Sequence, residues 1–480
     1  MKKILRRTSC IIWTMFLLVA LLPARVSAGY DLPGTCQAQT DTGAACTVKT
    51  LDHDYARNTF YSLRDIAMLL KDTDKCFSLE ITRNTVSMVL GNAYAPVGVE
   101  NALWESGDKL DVSLRRNEFK VNGQDVFYFT FILKLPSGYY DCFIMAADLA
   151  MILDVDMAVP GEDSLEIRTQ EPFFVSPSAL EQAGYFYGVN GVLVGDATTG
   201  EVYYAYQAGE PYPIASTSKL MTCLLTMEAL AAGQITLEQQ VTVSGAAQAL
   251  AASGDGVIPL EAGGQITVRE LLLGALLPSS NECALSLAEV VAGSEETFVR
   301  QMNEKAQELG LSQAVFFNSH GLPSYTEDPV PAKRQNRMSA EDMFRLVSYI
   351  LRVYPQITDY TSLQEATLGS IDLEVRNSNP LLRNMPEVTG LKTGTTNKAG
   401  ACLVTSLTAG DGAAAHDLVV VVLGTEDSVE RGRVSGLLAR YALQVFRTGM
   451  DSPENGTAAG NLPTHAEAAV EQILRTARKH

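Results

Sequence analysis

The stretch Pro213-Ile-Ala-Ser216-Thr-Ser-Lys219-Leu-Met-Thr222 opens a long helical pattern that runs from 216 to near 233. Positions i and i+3 of a helix share a face, so Lys219 is expected beside Ser216. A serine hydroxyl is a poor nucleophile until a base takes its proton. An amine is such a base only when neutral, and both burial and a nearby second cation lower its pKa. Taken alone, Ser216 reads equally well as a helix N-cap. Two further patterns change the weight. Ser279-Ser280-Asn281 follows the apolar run 271–277 and Pro278, which puts Ser279 and Asn281 in a loop at a helix end. A serine there can relay a proton to a leaving amine, and an amide can hold a carbonyl. Lys392-Thr393-Gly394-Thr395 precedes strand-like sequence and is expected on a sheet edge, where Gly394 lets a substrate backbone come close. Lys392, Thr393 and Thr395 can bind a free carboxylate. Each pattern is weak by itself; order, spacing and context carry the specificity.

These patterns lie in one large block, 171–449. Gly191-Val-Leu-Val-Gly195 and Glu201-Val-Tyr-Tyr-Ala-Tyr206 flank the turn Thr198-Thr199-Gly200, as in a hairpin. A helix is expected from 294 to about 309 with Gly310 as its stop. Another starts at the capping box Ser339-Ala-Glu-Asp342 and runs through 351. Residues 402–407 and 417–422 are strand-like, and 426–447 are helical. Strands at both ends with helices between predict an α+β fold, an antiparallel sheet joining the two ends of the block around a helical cluster.

Ahead of the block, residues 59–170 hold a weak duplication. Phe60-Tyr-Ser-Leu-Arg-Asp65-Ile-Ala-Met-Leu-Leu70 aligns with Phe143-Ile-Met-Ala-Ala-Asp148-Leu-Ala-Met-Ile-Leu153, and each copy runs on into a strand-like segment, at 85–90 and at 164–169. A repeated helix–strand unit predicts one small α+β module. Residues 29–58 are polar, carry the turn signals Pro33-Gly34 and Thr42-Gly43, and are expected as a linker or leader. Residues 1–28 have the layout of a secretory signal peptide: Lys2, Lys3, Arg6 and Arg7, the apolar run 11–22, then small residues at 26–28. The run is short for a bilayer span. Residues 450–480 are expected as a flexible tail whose end is a frayed, Ala-rich helix rather than a membrane-surface one.

The chain has 480 residues, 46% hydrophobic and 19% charged, an ordinary globular composition for two to four domains. A formal net charge of −18 speaks against nucleic acid as a partner. Beyond Cys10 in the signal, the cysteines are Cys36, Cys46, Cys76, Cys142, Cys223, Cys283 and Cys402. An odd, scattered set fits neither a disulfide framework nor a zinc site, and neither metal nor cofactor is expected. Cys36 and Cys46 can pair outside a cell; Cys223 and Cys283 are expected in the core.

In order along about 185–447, "PIASTSKLMT", "LLPSSNECALSLAE", "FVRQMNEKAQELG", "FFNSHGLP", "NSNPLL" and "TGLKTGTTNKAGACLV" resemble landmarks of the serine-type D-alanyl-D-alanine carboxypeptidases, the low-molecular-mass penicillin-binding proteins. The resemblance implies a β-lactamase/transpeptidase-like fold and removal of the terminal D-alanine from peptidoglycan pentapeptides. It implies an acyl-enzyme on Ser216, Lys219 as base, Ser279 assisting proton transfer, Asn281 positioning substrate, and Lys392 with Thr393 on the terminal carboxylate. The backbone N–H groups of Ser216 and Thr395 would form the oxyanion hole. β-Lactams would be covalent inhibitors, and the enzyme would work outside the cytoplasm, in the cell envelope. Ser280 stands where Gly or Ala is common, and Thr395 where many relatives carry His. His320 is expected to have a structural loop role. The module at 59–170 resembles the N-terminal module named for copper amine oxidases, often fused to exported bacterial enzymes; no His/Cys cluster suggests copper here. Two rivals remain at this stage. A class A β-lactamase needs a Glu in an E-x-x-L-N setting downstream, and none follows Ser279. A non-catalytic wall-binding protein would not need the three patterns intact.

Overall fold

The computed structural model describes residues 34–449, apart from 54–57, 102–117, 127, 129, 162, 183–184, 326–332 and 384. The signal expected at 1–28 and the tail expected at 450–480 lie outside the described residues.

The described chain begins with two strands, β1 (Gly34–Thr40) and β2 (Ala45–His53), where a leader was expected. In β1, Cys36, Ala38 and Thr40 are buried while Gln37 and Gln39 are exposed. The inward side chains are small or polar, so mean hydropathy is low even though the period of two is that of a strand. β1 pairs with β2, and β2 with β3 (Asn58–Ser62), both antiparallel. Then come α1 (Leu63–Leu70) and the hairpin β4 (Phe77–Ile81) and β5 (Thr85–Leu90). After β6 (Glu118–Val121), β7 (Gln124–Val126) and β8 (Thr130–Lys134), the order recurs: β9 (Tyr140–Met145), α2 (Ala146–Leu153), and the hairpin β10 (Asp156–Gly161) and β11 (Ser164–Arg168). The duplicated unit is therefore strand, helix, hairpin. Its two first strands, β3 and β9, lie side by side in a seven-stranded sheet of order β10-β11-β1-β2-β3-β9-β8. Cys36 lies opposite Val48 and Cys46 opposite Ala38, so the two thiols are diagonal neighbours, and both are free. Diagonal positions are roughly 7–8 Å apart, too far for a disulfide without moving backbone.

The large block is built on β12 (Gly191–Asp196), β13 (Val202–Tyr206), β14 (Val388–Thr396), β15 (Gly400–Ala409) and β16 (His416–Thr425). They form one antiparallel sheet of order β13-β12-β16-β15-β14, which joins the block's two ends. Alternation along β16 fills both faces. Val419 and Val421 join one core with α3 (Lys219–Ala231), α4 (Val268–Leu276), α5 (Asn281–Ala292), α6 (Glu295–Glu308) and α7 (Ala340–Val353). Val420 and Val422 join a second core with α8 (Ser428–Thr448) and with Phe60, Phe131 and Phe143 of the N-terminal module. A strand buried on both faces reads as an unbroken apolar run, which is what 418–423 is.

The helix starts follow local rules. Ser294 and Ser339 accept from the N–H groups of Thr297 and Asp342. Thr267 and Glu270 make a reciprocal capping box, and the Asp427 carboxylate accepts from Val429 and Glu430. α3 is buried almost all round, so it is the helix the others pack against.

Candidate active site

The helix expected to begin at Ser216 begins at Lys219; Ala215–Ser218 form a 3-10 turn leading into it. In a 3-10 turn, residues i and i+3 eclipse, which sharpens the expected pairing. The Lys219 Nζ lies 2.8 Å from the Ser216 Oγ, 2.8 Å from the Asn281 Oδ1 and 2.8 Å from the backbone carbonyl oxygen of His320. Lys219 is 0% exposed. Burial holds its pKa down to about 7, against a raising effect from Glu282, so near neutrality its neutral form is accessible. A neutral amine has two N–H groups and one lone pair. Asn281 Oδ1 and the His320 carbonyl can only accept, so they take the two N–H groups. The lone pair is then left facing Ser216, the one partner of the three that can donate a proton.

Neighbouring loops hold this cradle. Asn318 Oδ1 accepts from the N–H groups of His320 and Gly321, and Asn336 Nδ2 donates to the Asn318 carbonyl. The loop so made aims the His320 carbonyl at Lys219. Burial keeps the His320 imidazole down at about 3, so it stays neutral, and its Nδ1 accepts from the Leu322 N–H at 3.2 Å. Its contribution is thus a backbone oxygen. Asn281 is the first residue of α5 rather than a loop residue, capped by the Ser280 hydroxyl. Its Nδ2 donates to the Asp255 carbonyl at 2.9 Å, leaving one amide N–H unused among the described residues. Ser279 sits between α4 and α5 at φ 72°, a left-handed conformation that costs a non-glycine residue energy. It makes no hydrogen bond to Ser216 or Lys219 among the described residues. Ala215, just ahead of Ser216, is also left-handed, at φ 47°.

Two glycines press on the Ser216 backbone from different segments. A methyl group on Gly394 would stand 2.8 Å from the Ser216 nitrogen and 2.9 Å from that of Thr217. One on Gly321 would stand 2.0 Å from the Ala215 carbonyl oxygen. β14 is the edge strand of the sheet, and its Lys392-Thr393-Gly394-Thr395 segment lies within the strand rather than ahead of it. Lys392 is buried and donates to the Thr393 carbonyl at 3.0 Å. Its pKa is driven well below the ordinary value, by burial first, then by the charges of Lys219 and Arg431. Lys219 is lowered by burial, so the expected mutual repulsion of the lysines appears on Lys392. The Thr393 hydroxyl is 2.5 Å from that of Ser378, and the exposed Thr395 accepts from Arg431 Nη1 at 3.3 Å.

Ser216, Lys219, Asn281, Lys392, Thr393, Gly394 and Thr395 therefore meet around one point, the junction of the 3-10 turn, α5 and β14. Sequence reasoning missed Arg431, Ser378, Glu282 and the His320 carbonyl. "NSNPLL", "FFNSHGLP" and "LLPSSNECALSLAE" marked three of these places without giving a role; Arg431 has no local pattern to mark it.

Residues 189–427 match the family described as D-alanyl-D-alanine carboxypeptidase. The chain is 36% identical over 253 residues to the D-alanyl-D-alanine carboxypeptidase DacF of Bacillus subtilis, covering 52% of this chain and 61% of that one. It is 34% identical over 256 residues to DacC of Escherichia coli, covering 53% and 60%. The chain thus spans about 60% of the length of these relatives. Among solved structures it is similar to a peptidoglycan synthesis regulatory factor (PBP3) of Streptococcus pneumoniae, with 32% identity, a TM-score of 0.49, and coverage of 54% of this chain and 72% of that one. The matched span holds the serine, its buried lysine and the edge strand beside them, and residues 189–427 belong to the D-alanyl-D-alanine carboxypeptidase family.

Proposed function

We propose that the protein is a serine-type carboxypeptidase that removes the terminal D-alanine from peptidoglycan stem peptides. The observation that carries this reading is the fully buried Lys219 Nζ lying 2.8 Å from Ser216 Oγ. Ser216 attacks the carbonyl carbon of the penultimate D-alanine as its proton passes to Lys219. The backbone N–H groups of Ser216 and Thr395 take the developing oxyanion. The C–N bond breaks, and the leaving amine receives a proton relayed through the Ser279 hydroxyl. Water then attacks the acyl-enzyme, giving the shortened peptide and restoring Ser216. The free N–H of Asn281 supports a substrate carbonyl. Lys392, Thr393 and Arg431 receive the terminal carboxylate. Burial and the charges of Lys219 and Arg431 make Lys392 hold its proton poorly, and an incoming carboxylate reverses that balance. A β-lactam would acylate Ser216 in the same way but keep its leaving amine tethered. The proposed substrate, and the secretory layout of residues 1–28, support a place in the cell envelope.

Release of D-alanine from diacetyl-lysyl-D-Ala-D-Ala tests the reading. No release, or fast hydrolysis of penicillin, would overturn it. The base makes a second expectation. Lys219 must be neutral to act, so kcat/KM for acylation should rise with pH through a limb near 7 and fall off below it. The rate of penicillin labelling measured between pH 5 and 9 checks this. The packing of β14 makes a third. Gly394→Ala drives a methyl into the Ser216 and Thr217 nitrogens, so the strand must retreat from the nucleophile. Labelling should slow about a hundredfold, as expected for a displacement of about 1 Å, with a loss of about 1–3 kcal/mol in thermal unfolding. A wild-type labelling rate in that variant would mean the strand is not part of the site.

A further inference from the structure

Glu282 follows Asn281 in the first turn of α5, is 0% exposed, and has no function in the scheme above. Its Oε1 accepts the N–H of Val257 at 2.9 Å and also that of Ile258. Its Oε2 is buried without a hydrogen-bond partner among the described residues. A buried carboxylate oxygen left without a partner is costly unless a charge faces it. The neighbouring Asn281 holds the same segment through the Asp255 carbonyl and holds Lys219 through its Oδ1. Two consecutive residues therefore clamp residues 255–258 on one side and the base on the other. The segment itself is tightly folded, since a methyl on Gly256 would stand 1.9 Å from the Ala251 carbonyl oxygen.

The charges around Lys219 single out Glu282. Its own helix offers Cys223, and α5 offers Glu282 and Cys283. β14 brings Lys392, and Arg431 of α8 lies behind that. The loop brings His320, which stays neutral, while Glu295 faces Ser319 and the His320 ring. Among these, Glu282 is the carboxylate whose charge favours a proton on Lys219.

We propose that Glu282 is a positioning residue for the base. Its Oε1 fixes residues 255–258 against Asn281, and its charge steadies the ammonium that Lys219 becomes once Ser216 has given up its proton. This rests on the reading of Lys219 as the base.

The test is the pH profile of penicillin labelling in E282Q and E282D, with thermal unfolding measured alongside. Glutamine keeps an acceptor for the two N–H groups but removes the charge. Its acid limb should move to lower pH by about one unit, and its plateau should drop about tenfold as the base weakens. Aspartate keeps the charge but shortens the reach, so its limb should stay at the wild-type pH while the plateau falls. A wild-type limb in E282Q, or a limb in E282D shifted as far as glutamine's, overturns the proposal. Should E282Q not fold, the E282D limb alone decides. A wild-type profile with no limb near 7 would instead remove Lys219 as the base, a different failure from a wild-type limb that E282Q leaves in place.

Discussion

Ser216→Ala is expected to abolish both penicillin labelling and D-alanine release, by about 10⁶-fold if the serine and its base act as a unit. The reason is geometric. The Ser216 hydroxyl is the one donor among Lys219's three partners, so removing it leaves the lone pair with nothing to deprotonate. Lys219→Met should cost about as much, because Asn281 Oδ1 and the His320 carbonyl are acceptors and cannot replace a base. The informative variant is the double substitution. Two residues that carry one proton transfer are not additive, so the double variant should be no slower than either single one. Methionine fills the lysine's apolar volume but leaves two buried oxygens without a donor, costing roughly 1–3 kcal/mol each. Thermal unfolding must therefore be measured with the rates. Labelling of Ser216→Ala at the wild-type rate, or a double variant much slower than both single ones, would break the pairing.

What the sequence made legible follows from how local the signal is. Ser216 and Lys219 are three apart, and any helical or 3-10 path brings them together, so the pair was readable without the fold. The sheet that joins the block's ends was readable from unbroken apolar runs such as 418–423, and Ser294 and Ser339 announced their helices through cap chemistry. β1 was hidden because Cys36 and Ala38 are too small to register as an apolar stripe. Glu282 was passed over because a glutamate at a helix start is ordinarily an exposed dipole partner; only the packing of residues 255–258 over it makes it buried. Arg431 comes near Thr395 through tertiary packing alone. The duplication was visible, but not what its two aspartates do. In the first copy Asp65 is fully answered, by Lys49 Nζ at 2.7 Å and by the N–H groups of Lys49 and Asn101. In the second copy the equivalent Asp148 has no hydrogen bond to either oxygen among the described residues.

That difference sets up the second large effect, at the face where the N-terminal module meets the catalytic block. The cation near Asp148 comes from the other unit: Arg433 on α8. Its guanidinium lies 4.1 Å from the Tyr185 ring centroid, hydrogen-bonds both oxygens of Glu430, and approaches the Met145 Sδ at 3.6 Å. Burial raises the Asp148 pKa to about 7. A carboxyl raised in the folded state contributes stability that is complete below its unfolded value near 4 and is lost as pH rises through about 7. Asp148→Asn should therefore be nearly neutral below about pH 4, slightly stabilising at pH 5 and most stabilising at pH 8. Arg433→Ala strips the cation from two carboxylates at once and should destabilise by about 3–5 kcal/mol, the usual cost of breaking a buried pair from one side. The loss should be larger at pH 8, where Asp148 is charged, than at pH 5. Arg431 lies two residues earlier on the same helix and donates to Thr395, so a loosened α8 should also slow acylation of Ser216. Thermal unfolding and limited proteolysis at both pH values, with labelling rates alongside, read all three consequences. Equal unfolding temperatures for Arg433→Ala and wild type at pH 8 would mean that the module and α8 are held together by the apolar contacts of Phe60, Phe131 and Phe143 alone. A loss of the expected size would make Arg433 the residue that holds the module against the block, and α8 the element through which that docking reaches the edge strand.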